Sequence, residues 1–278
     1  MSISVGNFKI GGGQPLFFII GPCVMESDGF TREVAREILK VCTARNLPWV
    51  FKASFDKANR SSHESFRGTS VEEGLKTLTR VREEVGVPVL TDIHDASQVK
   101  PVAQVADILQ IPAFLCRQTD LLVEAARSGK PVNVKKGQFL APWDAKNIVD
   151  KFKSTGNESV MLTERGVTFG YNNLVVDMQS FPVMRGFGVP VIYDATHSVQ
   201  KPGGLGKATG GAADMIPYLA RAAVAAGVDG VFLEVHPDPA KAKSDGPNAV
   251  RLSDLGGLLD QWTAIDRLIK PYLKSGRA

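Results

Sequence analysis

One alternation runs the length of this chain: a short, apolar, β-rich run, then an amphipathic stretch with helical spacing. The apolar runs fall at 16–24, 49–55, 88–93, 108–114, 131–136, 159–164, 190–196 and 230–235. Between them, 31–45 sets Val34, Ile38, Val41 and Cys42 on one face. The stretch 72–85 does the same with Leu75, Leu78, Val81 and Val85, and 213–226 and 252–269 are similar. Several runs open just after a glycine-marked turn: Gly86-Val87-Pro88, Gly129-Lys130-Pro131, Gly188-Val189-Pro190 and Gly227-Val228-Asp229-Gly230. A helix ending at glycine before a buried strand is the second half of a repeating β/α unit. Eight such units in about 250 residues match a closed (β/α)8 (TIM) barrel of the α/β class. An open, doubly wound sheet is the rival. It is weakened because the one glycine-rich run near a strand, Gly11-Gly12-Gly13, precedes the first strand instead of following it. Residues 1–12 read as a short β-hairpin closing the barrel bottom, so 1–278 is expected to form one barrel domain.

The 278 residues are 44% hydrophobic, enough to bury a substantial core, and the formal net charge is +4. That mild, dispersed basicity suits small anionic substrates. It does not suit nucleic acid, and the aromatic residues are not interleaved with the basic ones as in a single-strand binder. The N-terminus lacks the layout of a signal peptide, and no apolar stretch approaches membrane-spanning length. Three cysteines, Cys23, Cys42 and Cys116, without motif spacing argue against a disulfide framework and for a reducing cytoplasm.

Barrel active sites lie at the carboxyl ends of the strands, and each of those ends carries polar residues. They are Gly21-Pro22-Cys23 with Glu26; Lys52 to Ser62; Thr91-Asp92-Ile93-His94; Gln110 with Pro112-Ala113-Phe114; Lys135-Lys136-Gly137-Gln138; Glu164-Arg165; Asp194 to Gln200; and Glu234-Val235-His236, with Asp245 beyond. In the second, Lys52-Ala53-Ser54-Phe55-Asp56-Lys57-Ala58-Asn59-Arg60-Ser61-Ser62 concentrates cations and hydroxyls after an apolar run, which makes a receptor for phosphate or carboxylate. The bland alternative is a solvated basic loop. Lys52, Lys57, Arg60, Lys135 and Arg165 would form an anion-binding half.

Cys23, His197, Glu234 and Asp245 come from the first, seventh and eighth strand ends and converge if strand 8 closes on strand 1. Thiolate, imidazole and carboxylates together suit a borderline divalent metal such as Zn²⁺, Fe²⁺ or Mn²⁺. Three of the four have an alternative: Cys23 as a buried small hydrophobe, His197 as a structural histidine, Glu234 as the partner of a barrel lysine. His236 shares a face with Glu234 and competes as a ligand. His63 and His94 read as surface or supporting residues, and Cys42 and Cys116 as packing.

These motifs, together with Leu109-Gln110-Ile111-Pro112-Ala113-Phe114, Asn133-Val134-Lys135-Lys136-Gly137-Gln138, Asp194-Ala195-Thr196-His197-Ser198 and Glu234-Val235-His236-Pro237-Asp238-Pro239, resemble the 3-deoxy-D-manno-octulosonate-8-phosphate synthases in order and over nearly the whole chain. Lys57-Ala58-Asn59-Arg60-Ser61-Ser62 is the specific part. The related 3-deoxy-arabino-heptulosonate-7-phosphate synthases share the barrel and a Gly-Pro-Cys strand end but carry a Lys-Pro-Arg-Thr type segment there. The resemblance implies condensation of phosphoenolpyruvate with arabinose 5-phosphate, with release of inorganic phosphate, toward the inner core of bacterial lipopolysaccharide. It implies that Lys52, Ser54, Lys57, Gln110, Ala113, Lys135 and Arg165 hold phosphoenolpyruvate. Asn59, Arg60 and Ser61 would hold the pentose phosphate, with Asp92 near its hydroxyls and Gln200 also in contact with substrate. In a family that is tetrameric, Arg117 and Phe114 would reach in from a neighbouring subunit. Cys at the end of strand 1 matches the metal-dependent type, with Cys23, His197, Glu234 and Asp245 as ligands; His197, Asp245, Lys57, Asn59 and Cys23 are the expected catalytic residues. Rival readings are a heptulosonate-phosphate synthase using erythrose 4-phosphate, a Schiff-base aldolase using Lys135, and a non-catalytic sugar-phosphate sensor.

Overall fold

The structure, a computed structural model, describes residues 2–58, 64–203 and 210–274. Eight short, fully buried strands form the barrel: β1 (Phe17–Gly21), β2 (Trp49–Lys52), β3 (Val89–Asp92), β4 (Ile108–Ile111), β5 (Val132–Lys135), β6 (Val160–Glu164), β7 (Val191–Asp194) and β8 (Gly230–His236). Each pairs in parallel with the next. The ring shuts between β8 and β1, where Glu234 lies opposite Gly21, and between β7 and β8, where Asp194 lies opposite Phe232. The open-sheet rival is therefore excluded. All eight apolar runs are strands; six end one to three residues earlier than the sequence suggests, because the chain leaves the ladder once it enters the loops that carry the polar residues, while β6 ends at Glu164 as expected and β8 runs one residue further, to His236.

Helices α1 (Asp28–Thr43), α2 (Val71–Val85), α3 (Ala96–Val105), α4 (Thr119–Arg127), α5 (Lys146–Lys153), α6 (Ser180–Arg185), α7 (Ile216–Ala225) and α8 (Leu255–Lys274) follow their strands in turn. Their starts are written locally. Ser27 and Ser70 cap α1 and α2 by accepting from the amides of Phe30 and Glu73, and Asp95 caps α3 through Ser97. Cys42 is fully buried on the inner face of α1 and Cys116 in the core, as packing residues.

Two apolar compartments result. One lies between the strands and the helices. The other fills the barrel's amino-terminal half with Phe17, Ile19, Val50, Leu90, Ile108, Met161, Ile192 and Phe232. An antiparallel hairpin, Ser2–Val5 with Phe8–Gly11, adds Ile3, Val5 and Ile10 to that second compartment and stops it from below. At the other end β1 passes so close to β2 that a Cβ on Gly21 would lie 1.8 Å from the Lys52 carbonyl oxygen. Only glycine permits that approach, and it delivers Cys23 beside Lys52.

Candidate active site

A cleft of about 720 Å³ opens at the carboxyl ends of the strands. Lys52, Lys57, Asp92, Gln110, Lys135, Arg165, His197, Gln200 and Asp245 all reach its wall, with Ala113 and Phe114 from the turn after β4. Cys23 and Glu234 lie just beneath that wall, 7% and 1% exposed. Asn59, Arg60, Ser61 and His63 lie outside the described residues. Arg117 is exposed and is not part of its own chain's cleft.

The sequence suggested two separate halves, one cationic and one metal-binding; the structure interlocks them. Lys52 donates to the Glu234 carboxylate at 2.7 Å and to the Cys23 carbonyl at 2.9 Å. Lys57 stands 3.7 Å from the same Glu234 oxygen, and His197 Nε2 3.5 Å from it. Burial alone would raise the Glu234 carboxyl, but His197 and Lys52, Lys57 and Lys135 outweigh it and hold the group well below the usual carboxylate range. Burial would likewise lower Lys57, but the carboxylates of Glu234, Asp92 and Asp245 around it raise it instead.

Asp194, which lies outside the expected set of site residues, is the centre of the second half. Fully buried, it accepts Lys135 Nζ and His197 Nδ1 on one oxygen, each at 2.7 Å, and the His197 amide on the other at 2.9 Å. Burial would raise Asp194, but His197 and Lys135 outweigh it and keep its carboxyl far below the usual range. The carboxylate thus makes Nδ1 the donor and leaves Nε2 pointing toward Glu234. Lys135 also sits 3.6 Å above the Phe232 ring, and burial lowers its ammonium despite Asp194. An Asp three residues before a His in one strand-end turn is the sequence signal that marks this pairing.

Arg165 is 4% exposed and donates to Gln200, yet its Nη1 is buried without a hydrogen-bond partner. A buried guanidinium with an unsatisfied nitrogen, on a residue that lines a cleft, suits an anion. Ser54 faces inward but spends its hydroxyl on Asp92 and does not reach the cleft surface.

The donor set fits a divalent metal. One ligand atom each from Cys23, Glu234 and Asp245 lie within 4.8 Å of one another. His197 is not in that group of three; it adjoins it through Nε2, with its far nitrogen held by a carboxylate as metal-binding histidines usually are. His236 is no competitor: its Nδ1 accepts from the Asp238 amide and its Nε2 faces Glu26 at 3.3 Å. Ser244, also absent from the expected set, lies 2.8 Å from the Cys23 sulfur. Asp245 takes a left-handed backbone, φ 50°, that turns its carboxylate toward Cys23 at 3.3 Å. Glu26 steadies this loop by accepting the Lys243 amide at 3.0 Å. Burial first, and the Glu234 carboxylate second, push the Cys23 thiol far up despite Lys57 and Lys52 nearby, so a thiolate here calls for a further cation such as a bound metal.

A closed barrel with a cationic cleft over buried carboxylates defines an enzyme that handles small polyanions at its strand ends. The chain belongs to the DAHP synthetase I family, whose model matches residues 1–270. It is 60% identical over 268 residues to the 2-dehydro-3-deoxyphosphooctonate aldolase of Geotalea uraniireducens (strain Rf4), covering 96% of this chain and 98% of the relative. It is 59% and 57% identical, at the same coverage, to proteins of that name from Geotalea daltonii and Geobacter sulfurreducens.

Proposed function

We propose that this enzyme is a 3-deoxy-D-manno-octulosonate-8-phosphate synthase. It joins phosphoenolpyruvate to D-arabinose 5-phosphate and water, giving the eight-carbon keto-sugar phosphate and inorganic phosphate for the lipopolysaccharide core. The observation that carries the reading is full-length identity near 60% to proteins of that name, over a cleft whose cations come from several strands. The family description by itself names the heptulosonate activity; the named relatives favour the octulosonate. Its site sits in a chain in which no described helix is long and apolar enough to cross a membrane.

In this reading Arg165 and Lys135 take the phosphoenolpyruvate anion, with Lys52, Lys57 and Gln110 around it, while Asp92 faces the pentose hydroxyls. Asn59, Arg60 and Ser61 take the second phosphate, and Arg117 reaches a neighbouring subunit's cleft in a homotetramer. No covalent enzyme nucleophile is needed, because C3 of the enol phosphate attacks the aldehyde carbon itself. The aldehyde oxygen takes a proton, water adds at C2, and phosphate leaves with its bridging oxygen. Holding two polyanions in register supplies much of the acceleration, on the order of ~7–11 kcal/mol in well-oriented intramolecular cases. His197, its Nδ1 fixed by Asp194, presents Nε2 to the Cys23–Glu234–Asp245 cluster and so acts by helping to hold the metal there, while the Asp245 carboxylate assists proton transfer with its second oxygen. Cys23, His197, Glu234 and Asp245 would hold a divalent metal, which when bound would polarise the aldehyde or a water molecule.

Lys135 is engaged by Asp194 and packed over Phe232, which supports an anion-holding role over a Schiff base. Phosphate release from phosphoenolpyruvate tests the proposal. It is expected with arabinose 5-phosphate and not with erythrose 4-phosphate, and no borohydride-trapped adduct should form. The opposite tetrose preference would reject it. Cys23→Ala is expected to lose bound metal, read by elemental analysis, together with turnover. Full activity of Cys23→Asn in strong chelator would make the metal accessory.

A further inference from the structure

Directly under the cleft floor, four adjacent strands each contribute one polar side chain to a single hydrogen-bonded row. Thr163 on β6 donates to Asn133 Oδ1 at 2.6 Å. Asn133 on β5 donates to Gln110 Oε1 at 2.8 Å. Gln110 on β4 donates to Asp92 Oδ1 at 2.5 Å, and the Ser54 hydroxyl takes the other Asp92 oxygen. Thr163 and Asn133 are fully buried and Gln110 is 1% exposed. Asp92 and Gln110 reach the cleft, whereas Asn133 and Thr163 do not.

The direction of this row is forced. Burial alone would raise the Asp92 carboxyl, but Lys52, Lys57, His94 and Lys135 around it hold it below the usual range, so it is ionised and can only accept. Gln110 must therefore turn its NH₂ to Asp92 and its oxygen to Asn133. Asn133 must then turn its NH₂ to Gln110 and its oxygen to Thr163, whose hydroxyl has to donate. The Thr163 hydroxyl, two strands from Gln110, thus completes the orientation that Asp92 dictates, because it satisfies the Asn133 oxygen and so holds both amides in that sense. In this orientation the Gln110 nitrogen, with a second hydrogen to spare, is available to an anion. The flipped amide would set its single oxygen against the Asp92 carboxylate and withdraw the NH₂ from that side.

We propose that Thr163 and Asn133 are positioning residues for the condensation, orienting the Gln110 amide and through it the Asp92 carboxylate. The proposal rests on the function argued above. Its test pairs Thr163→Val, which keeps the shape and loses the hydroxyl, with Thr163→Ser, which keeps the hydroxyl. The valine variant is expected to lose about tenfold in kcat/KM for phosphoenolpyruvate, mostly through KM, with the serine variant within about twofold of the parent. An activity-independent readout is the set of side-chain amide ¹⁵N–¹H signals of Gln110 and Asn133, slow to exchange in the parent and the serine variant and broadened in the valine variant. Parent-like kinetics and amide signals in Thr163→Val would overturn the proposal, as would a serine variant as impaired as the valine one. Should Thr163→Val not fold, Asn133→Asp decides. It sets a second carboxylate against Gln110, and an unchanged KM and amide spectrum there would sink the idea. Absence of any phosphate release from the parent enzyme would remove the reaction assignment, while the amide spectra would still decide the row.

Discussion

The two ends of the barrel interior differ by one step of the pleat. Val50, Leu90, Ile108, Met161, Ile192 and Phe232 fill the lower level. Two residues further along the same strands stand Lys52, Asp92, Gln110, Thr163, Asp194 and Glu234, every one buried. Side chains two apart point the same way, so the change from wholly apolar to wholly polar occurs within about 7 Å. The lower level contributes to stability by burial. The upper level confines charges that must find partners inside the protein, and it does so by pairing across the ring: Lys52 with Glu234, Lys135 with Asp194. Such pairs add little net stability over apolar residues of similar shape, yet losing one member is costly. Stability and chemistry are thus assigned to successive positions of one strand, and mutations should separate them.

The largest separation is expected at Arg165, whose unpartnered Nη1 leaves little of the protein stranded when it is removed. Arg165→Met should lower kcat/KM about a thousandfold, roughly 4 kcal/mol at 1.36 kcal/mol per decade, with a nearly unchanged urea midpoint. Below it, Met161→Ala should cost about 3 kcal/mol in urea unfolding while kcat/KM stays within about twofold. Activity loss in the folded Met161 variant would show that the levels are mechanically coupled. Acid should act on the upper level. The carboxyls of Asp92, Asp194 and Glu234 are all lowered by folding. The stability they contribute is complete above the unfolded carboxylate pKa of about 4 and is lost as pH falls below it toward the folded values. Asp194→Asn should therefore flatten the decline in urea midpoint below about pH 4; an unchanged acid slope would remove Asp194 from the account. The smallest effect lies outside both levels. Ser70→Ala, which removes the cap of α2, should cost about 1 kcal/mol and leave kinetics untouched.

The strands were legible because every one is buried, so each reads as an apolar run whatever its neighbours. The order of the ring followed from counting units. The site was legible as a set of residues and not as a set of pairs, since pairing depends on register. Glu234 as a lysine partner stood only as an alternative to its role as a ligand, yet it is engaged by Lys52 and lies within the Cys23–Asp245 cluster as well. Asp194 was visible at a strand end without a partner to give it a role. Ser244 sits in a loop whose path no periodicity encodes. Asn133 and Thr163 look like isolated polar residues in apolar strands until four strands are aligned side by side.

The hairpin under the barrel has one more consequence. With Ile3, Val5 and Ile10 covering the amino-terminal mouth, the interior formed by the described residues opens to solvent at the cleft end. Deuterium should therefore label the strand amides in order of distance from that opening. Those in the first half of each strand should exchange only when the whole barrel opens, which makes them a gauge of global stability inside a working enzyme.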